Sequence, residues 1–193
     1  KFRSCRDNIT VATGAMEVRG GNGLIEDWVN SKLVRDAMIG VLWEGTSNIN
    51  ALDVTTRAIA KVGAQVQMAE AMHDMLADTT SLPGQFKGEL DSTIDRAVAF
   101  AEKVAMTGNE PMARKASDAL YHMVTAVLLA TEGARLGEMG EDASRLILAR
   151  MVMDHRLRAG DPLAIEDDND AAVAALLGEE KVDLATAQAL AAA

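Results

Sequence analysis

The stretch LDSTIDRAVAFAEKVA, residues 90–105, decides the fold class. Its apolar side chains recur every three or four positions, which places them on one face of an α-helix and not on one side of a strand. The members of this stripe are Leu90, Ile94, Ala97, Val98, Ala101, Val104 and Ala105. No stretch of the sequence shows the strict alternation that indicates a strand. The sequence therefore predicts an all-α protein.

The same helical spacing continues on both sides of this stretch. Breaks rich in glycine, proline and small polar residues separate further helices, which are predicted near 65–78, 86–107, 111–137 and 141–159. Gly133, Gly137 and Gly140 are interpreted as residues that end helices, and not as a phosphate-binding loop. We therefore expect residues 63–160 to form a helical extension with its own core.

The composition limits the class of protein. The chain has 193 residues, of which 49% are apolar and only 3% are aromatic, and this balance favours closely packed helices. Its net charge of −10 argues against a nucleic-acid surface, which needs clustered Lys and Arg. The single cysteine, Cys5, leaves no internal disulfide, and no apolar run is long enough to span a bilayer. We expect a soluble protein of the cytoplasm.

Most of the negative charge lies in the last part of the sequence. Residues 161–193 contain eight acidic residues and one basic residue, a net charge of −7. Such a run is typical of a solvated surface, so this acidic, Ala-rich tail is expected to add little to the core. The stretch AAVAALL, residues 171–177, is the exception, because it has the composition of a helix that could dock.

Residues 1–62 form a separate region with a different order of elements. Helical spacing is present from the start, which we interpret as a chain that begins partway along a helix of a longer polypeptide. The residues that recur at steps of three or four along this first helix are Phe2, Cys5, Ile9, Ala12 and Met16. The glycines of RGGNG, residues 19–23, are expected to end it and to let another backbone approach.

Two further helices are predicted in this region. The first covers residues 26–39, with an inner side formed by Trp28, Leu33, Val34 and Ala37. The second begins within VLWEGTSNINALDV, residues 41–54, and runs to about Val62, with a hydroxyl of Thr46 or Ser47 as its cap. Its inner stripe is predicted to be Ile49, Leu52, Thr56 and Ile59.

The sequence does not contain the usual motifs for dinucleotide binding or for zinc binding. RGGNG lacks the preceding strand of a dinucleotide fingerprint, and Glu26 stands where the third glycine would be. His73, His122 and His155 lie on separate predicted helices without the spacing of a zinc motif, so we expect no metal site. The glycine turn at 20–23 and the carboxylate of Glu44 remain as candidate functional features.

The order of these segments and the residues within them resemble the C-terminal domain of the acyl-CoA dehydrogenase family. The resemblance covers roughly residues 1–62 and includes AMEVRGGNGLIEDW, LVRDAMI and LWEGTSNI in that order. Trp43, the following NINALDV and the further helices are most similar to the branch that includes the bacterial alkylation-response homologue. That branch has a helical extension, which residues 63–160 would match.

The resemblance implies a flavin-dependent reaction and a role for each part of the site. Glu44 would be the base that removes the α-proton of an acyl-CoA thioester while a hydride passes to FAD. The resemblance implies that the cofactor is bound by Glu17, Gly20, Gly21, Thr46, Ser47 and Asn48, and that the substrate is contacted by Trp43 and Gly45. Many members have Gln where this chain has Glu17, and an acid cannot donate the same hydrogen bond unless it is protonated.

The resemblance also implies partners and leaves alternatives open. An electron-transfer flavoprotein or a similar acceptor would reoxidise the flavin, and the protein would be a homodimer or homotetramer whose flavin sites are shared between subunits. One alternative is a flavin-binding stress-response homologue without robust dehydrogenase activity. Another is a purely structural helical module. An oxidase is a variant within the enzyme class.

Overall fold

A computed structural model describes residues 1–160 and 170–192, and all regular structure within these ranges is helical. This confirms the predicted all-α fold. The α-helices are α1 (Ser4–Val18), α2 (Gly21–Leu24), α3 (Asn30–Leu42), α4 (Ser47–Asp53), α5 (Ala64–Asp78), α6 (Gly84–Met106), α7 (Ala113–Glu138), α8 (Ser144–Val152), α9 (Asp170–Leu177) and α10 (Leu184–Ala192). The irregular helical segments are two π-helical continuations, Val54–Ile59 after α4 and Met153–Leu157 after α8, and a 3₁₀ turn at Glu110–Met112.

The described chain divides into two compact units. The first consists of Lys1–Val62 and Glu102–Asp118, and the second of Gly63–Ala101 and Ala119–Ala193. The boundary between Val62 and Gly63 lies where the sequence changes from the acyl-CoA dehydrogenase-like pattern to the helical extension. Residues 102–118, however, group with the first unit.

The second unit has a core of large apolar side chains. The side chains with almost no exposed surface in this unit are Leu76, Phe86, Leu90, Ile94, Met123, Val127, Leu146 and Ile147. The stripe of residues 90–105 is confirmed as an inner face, since Leu90, Ile94 and Ala97 are buried and Val98 is half-buried. Burial of such side chains is the main stabilising contribution to a helical unit of this kind.

Two glycines of α7 have a role that differs from the prediction. Gly133 and Gly137 lie inside the helix and do not end it, whereas Gly140, with φ +74°, follows the helix. A Cβ atom on Gly133 would lie 2.4 Å from the backbone nitrogen of Leu146, the third residue of α8. The absence of a side chain at Gly133 therefore lets α7 and α8 approach each other closely.

The expectation that the acidic tail adds little to the core is wrong for residues 182–192. Helix α10 packs against α8, and Val182, Ala187 and Ala191 are buried. The Ala143 N–H donates to the Val182 carbonyl at 2.9 Å, and Gln188 Nε2 donates to the Ser81 carbonyl at 2.5 Å. Small alanine side chains permit this close packing without large apolar residues. The acids between positions 161 and 168 lie outside the described residues.

His73 of α5 lies between two carboxylates of α6. Its Nδ1 and Nε2 atoms are each 3.1 Å from a carboxylate oxygen, of Asp91 and Asp95 respectively. Partial burial lowers the pKa of His73, but the hydrogen bonds and charges of the two aspartates together raise it above the ordinary value of 6.5. The protonated form is therefore favoured in the folded protein.

We expect His73→Gln to remove a pH-dependent contribution to stability. Because the pKa is raised on folding, this contribution is fully present below pH 6.5 and is lost as the pH rises through the raised value. The side chain is 37% exposed, so solvent screening should limit the effect to under ~1 kcal/mol. Thermal melts at pH 5.5 and pH 8.5 measure it. An equal difference between wild type and variant at both pH values would contradict the prediction.

The first unit buries mainly small side chains. Helix α1 packs along α3, where Gly40 would place a Cβ atom 3.4 Å from Cys5, and the residues that recur at steps of three or four along α1 are half-buried. Many large apolar side chains of this unit remain exposed, among them Val18 at 90%, Leu42 at 65% and Trp43 at 63%. These side chains give the first unit an apolar contribution to its surface.

The predicted inner sides of α3 and α4 are partly wrong. Trp28 and Leu33 are exposed, whereas Ala37 is buried as predicted. Along α4 and its π-helical continuation, the buried positions are Ser47, Ala51, Thr55 and Ile59, so that only Ile59 of the predicted stripe is buried. Close packing of this helix selects small side chains, and Ile49 consequently lies on the exposed face.

Candidate active site in the turn between α3 and α4

The turn between α3 and α4 has an unusual backbone conformation at Glu44. Its φ angle is +52°, and among residues 1–160 and 170–192 it is the only residue other than glycine with a positive φ. Gly45 follows with φ +91°. A residue with a Cβ atom is disfavoured in the left-handed region, so neighbouring contacts must hold the turn in place.

Two side chains donate hydrogen bonds to the carbonyls of this turn. Lys1 Nζ donates to the Trp43 carbonyl and, at 2.8 Å, to the Gly45 carbonyl. Asn50 Nδ2 donates to the Gly45 carbonyl at 2.6 Å and to the Thr46 carbonyl at 2.9 Å. Of the four carbonyl groups of residues 43–46, those of Trp43, Gly45 and Thr46 therefore accept side-chain hydrogen bonds, and the donors come from two different segments.

The predicted hydroxyl cap of α4 is not formed. Thr46 occupies the N-cap position, but its side chain makes no capping hydrogen bond. Ser47 is buried, and its Oγ accepts hydrogen bonds from Arg6 Nη2 at 3.0 Å and Arg6 Nε at 3.2 Å. The Ser47 hydroxyl is thus engaged within the protein, whereas the Thr46 side chain remains exposed.

Glu44 and Trp43 border a cavity on the surface of the first unit. This cavity has a volume of about 370 Å³ and is lined by Lys1, Cys5, Ile39, Gly40, Trp43 and Glu44. Glu44 is exposed, and within the part of the chain that the structure describes its carboxylate has no ion pair or hydrogen bond. The carboxylate is therefore available to a molecule that enters the cavity.

Asn48 borders a different cavity of the same unit. That cavity has a volume of about 420 Å³, and its lining includes Leu52, Glu110 and Arg114. Asn48 is exposed, like Glu44 and Thr46, but it borders this second cavity and not the cavity beside Glu44. Residues 110–114, which the sequence placed in the helical extension, thus contribute to the surface around α4.

The remaining predicted residues lie at the other end of α1. Cys5, near the start of α1, contacts Gly40, near the end of α3, whereas Glu17 lies twelve residues further along α1, or ~18 Å at the rise of an α-helix. Gly20 and Gly21 follow α1, are exposed, and have no heavy atom within 4 Å of an added Cβ. The structure therefore brings together residues 43–48 and separates them from Glu17 and the glycine turn.

Three residues that hold the candidate site were not predicted from the sequence. Lys1 and Arg6 reach the turn through tertiary packing from more than forty positions away, so no local pattern indicates them. Asn50 is closer, and its position at the first turn of α4 is typical of amides that bond to nearby carbonyls. Within the described residues, no group of three or more His, Cys, Asp or Glu side chains is arranged to hold a metal ion. None of the helices described is long and apolar enough for a membrane crossing.

Comparisons with known proteins identify a family match and two relatives of the chain. Residues 1–60 match the family model of the acyl-CoA dehydrogenase C-terminal domain. The chain is similar to a putative acyl-CoA dehydrogenase, AidB, of Escherichia coli K12, with 28% identity over 121 residues, which is 63% of this chain and 20% of that protein. It is also similar to acyl-CoA dehydrogenase family member 11 of Caenorhabditis elegans, with 21% identity over 147 residues, 75% of this chain and 24% of that protein.

These matches cover only a small part of each relative. The matched region spans about a fifth to a quarter of the length of these two relatives. No solved structure gives a significant match. The family match ends close to the boundary between Val62 and Gly63, and it contains the whole α3–α4 turn. Residues 1–60 are therefore similar to the C-terminal domain of the acyl-CoA dehydrogenase family.

Proposed function

We propose that this chain is the C-terminal part of an FAD-dependent acyl-CoA dehydrogenase in which Glu44 is the catalytic base. One observation carries the proposal: the segment that matches the family model presents an exposed carboxylate, held on a left-handed turn, beside a cavity of about 370 Å³. The names of the two relatives support acyl-CoA as the substrate class. Residues 63–160 would be a helical extension of this catalytic region.

In this reaction, Glu44 accepts the proton from the carbon next to the thioester carbonyl. The electron pair of that C–H bond becomes part of a new carbon–carbon double bond, while the β-hydrogen leaves with its own electron pair. FAD supplies the hydride acceptor when it is bound. An acyl chain against Trp43 would displace water from the Glu44 carboxylate, and Gly45 leaves room beside the reacting carbons.

The side chains of the α4 surface fit a flavin in part. Thr46 and Asn48 are exposed and offer hydrogen-bond donors that no capping interaction uses. Ser47 fits less well, because its buried hydroxyl already accepts two bonds from Arg6. Gly20 and Gly21 offer open backbone to a second flavin, and Glu17 beside them would hold a cofactor group only through an acceptor oxygen.

The separation between these two groups of residues supports a shared-site oligomer. Glu17 and the glycine turn lie at the opposite end of α1 from residues 43–48, as they would if the two groups contacted flavins of different subunits. The exposed apolar side chains of the first unit provide surface for a homodimer or homotetramer. Reoxidation by an electron-transfer flavoprotein or a similar acceptor, in the cytoplasm, completes the proposed activity.

The visible spectrum of the protein, produced as its natural gene encodes it, tests this proposal. The purified protein should be yellow, and addition of acyl-CoA thioesters without oxygen should bleach the flavin absorbance. Bound flavin that no acyl-CoA reduces would favour the stress-response homologue instead. A colourless protein that takes up no FAD would favour the structural helical module, and rapid reoxidation by oxygen would indicate an oxidase.

A further inference from the structure

We propose that Lys1 is a positioning residue that holds Glu44 in its reactive orientation, an inference that rests on the proposed role of Glu44 as the base. The observation behind it is the pair of hydrogen bonds from Lys1 Nζ to the carbonyls on either side of Glu44. One ammonium group thus connects the peptide unit before Glu44 with the peptide unit after Gly45, and so spans the only left-handed residue with a side chain in the described part of the protein.

The chemistry of the ammonium group suits this position. A lysine carries three donors, a full positive charge and no acceptor, so it can bind two carbonyl oxygens at once. Hydrogen bonds from a charged donor are stronger than those between neutral groups. When the backbone at Glu44 relaxes out of the left-handed region, the two carbonyls turn relative to each other, and Lys1 can no longer bind both.

The start of α1 is itself held in place, so Lys1 can act as an anchor. Arg3 pairs with Asp7 at 2.5 Å and with Asp118 at 3.2 Å, and its own side chain is only 18% exposed. Cys5 contacts Gly40 on α3, one turn before the Glu44 turn. Lys1 therefore links the backbone around Glu44 to the packed helices α1 and α3.

Asn50 holds the other side of the turn but cannot replace Lys1. Its amide bonds the Gly45 and Thr46 carbonyls, both of which follow Glu44 in the chain. The Trp43 carbonyl, which precedes Glu44, accepts its side-chain bond from Lys1. Loss of Lys1 would release the Trp43 carbonyl, so that the α3 side of the turn would keep the bond from the Trp43 N–H to the Ile39 carbonyl at 2.9 Å but the backbone that orients Glu44 would be less constrained.

Substitution of Lys1 by Met, in the protein as its natural gene encodes it, tests the inference. We expect the rate of flavin reduction at saturating acyl-CoA to fall ~10- to 100-fold, because a displacement of about 1 Å in a reacting group costs on this scale. The KM for acyl-CoA and the flavin content should change little. Lys1→Arg, which keeps the charge and the donors, should restore most of the rate. Lys32→Met, an exposed lysine of α3 paired with Asp36 at 3.9 Å, is the matched control and should behave as wild type.

A second readout does not depend on activity. Hydrogen exchange of the Trp43 and Asn50 backbone amides, which donate to the Ile39 carbonyl at 2.9 Å and to the Thr46 carbonyl at 3.0 Å, should become at least ~10-fold faster in Lys1→Met, while the amides of α5 keep their rates. Unchanged exchange in this turn would overturn the inference, and so would a full loss of rate in Lys1→Arg. If Lys1→Met does not fold, the same measurements are made on Lys1→Gln, and the same results are expected.

A double-variant cycle separates this inference from the proposed function. If Lys1 acts through Glu44, Lys1→Met should cause no further loss of rate in a Glu44→Gln background. Additive losses would overturn the positioning role while leaving Glu44 as the base. If Glu44→Gln alone keeps a normal rate, the proposed function fails, whereas the exchange measurement still decides whether Lys1 holds the turn.

Discussion

Glu44→Gln is expected to lower the rate of flavin reduction by acyl-CoA at least ~10²-fold, the lower end of the range for loss of a general base. The amide has the shape of the carboxylate but cannot accept the α-proton. Because Glu44 makes no hydrogen bond or ion pair in the described structure, the substitution removes no contact that holds the fold. Flavin content and acyl-CoA affinity should therefore remain close to those of wild type.

Stopped-flow absorbance of the flavin, without oxygen, measures this rate directly. Glu70→Gln is the matched control, because it makes the same change at an exposed acid of α5 in the second unit. A near-normal rate of reduction in Glu44→Gln would rule out this residue as the base. Loss of flavin from the variant would instead indicate that Glu44 contributes to cofactor binding.

Gly133→Ala is expected to destabilise the second unit by about 3 kcal/mol, the upper end of the usual cost of overpacking a core. The added Cβ atom would lie 2.4 Å from the Leu146 nitrogen and 2.9 Å from the Arg145 carbonyl carbon, both of which are backbone atoms of α8. A backbone cannot move aside as the end of a flexible side chain can. Helices α7 and α8 would have to separate, and buried Leu146 and Ile147 would lose packing.

Urea unfolding followed by circular dichroism measures the free energy of unfolding for this comparison. Gly88→Ala is the matched control, since Gly88 lies inside α6 and an added Cβ atom there meets no atom within 4 Å. Alanine has a higher helix propensity than glycine, so the control should be stabilised by ~0.5–1 kcal/mol. Equal stability of the two variants would contradict the close approach of α7 and α8.

The helices could be predicted because their signal is local. The three- and four-residue spacing in residues 63–160 reports which face of each helix is inside, and the predicted ranges agree with α5 to α8 within a few residues at most ends. The same rule failed for α4 because it assumes that large apolar residues point inward. Where helices pack very closely, small residues such as Ala51 are buried and Ile49 is left exposed.

The acidic tail shows that composition is also a limited guide to which residues are buried. Its charge suggested a solvated segment, but burial depends on whether a neighbouring surface accepts the chain. Gly137 and the small side chains of α10 provide such a fit, and Leu184 lies within 2.8 Å of the position of an added Cβ atom on Gly137. Composition alone does not indicate that complementarity, because the two residues are far apart in sequence.

The sequence by itself determined the helical class, the ranges of the main helices and the candidate turn at Glu44, because each of these depends on residues that are close together in the sequence. Only the tertiary structure decided how that turn is held. Lys1 reaches the carbonyls of Trp43 and Gly45, and Arg6 occupies the Ser47 hydroxyl, because α1 packs along α3. It also placed Glu17 far from Glu44, since the two lie at opposite ends of that helix pair. Contacts between residues more than forty positions apart depend on packing and leave no local pattern in the sequence.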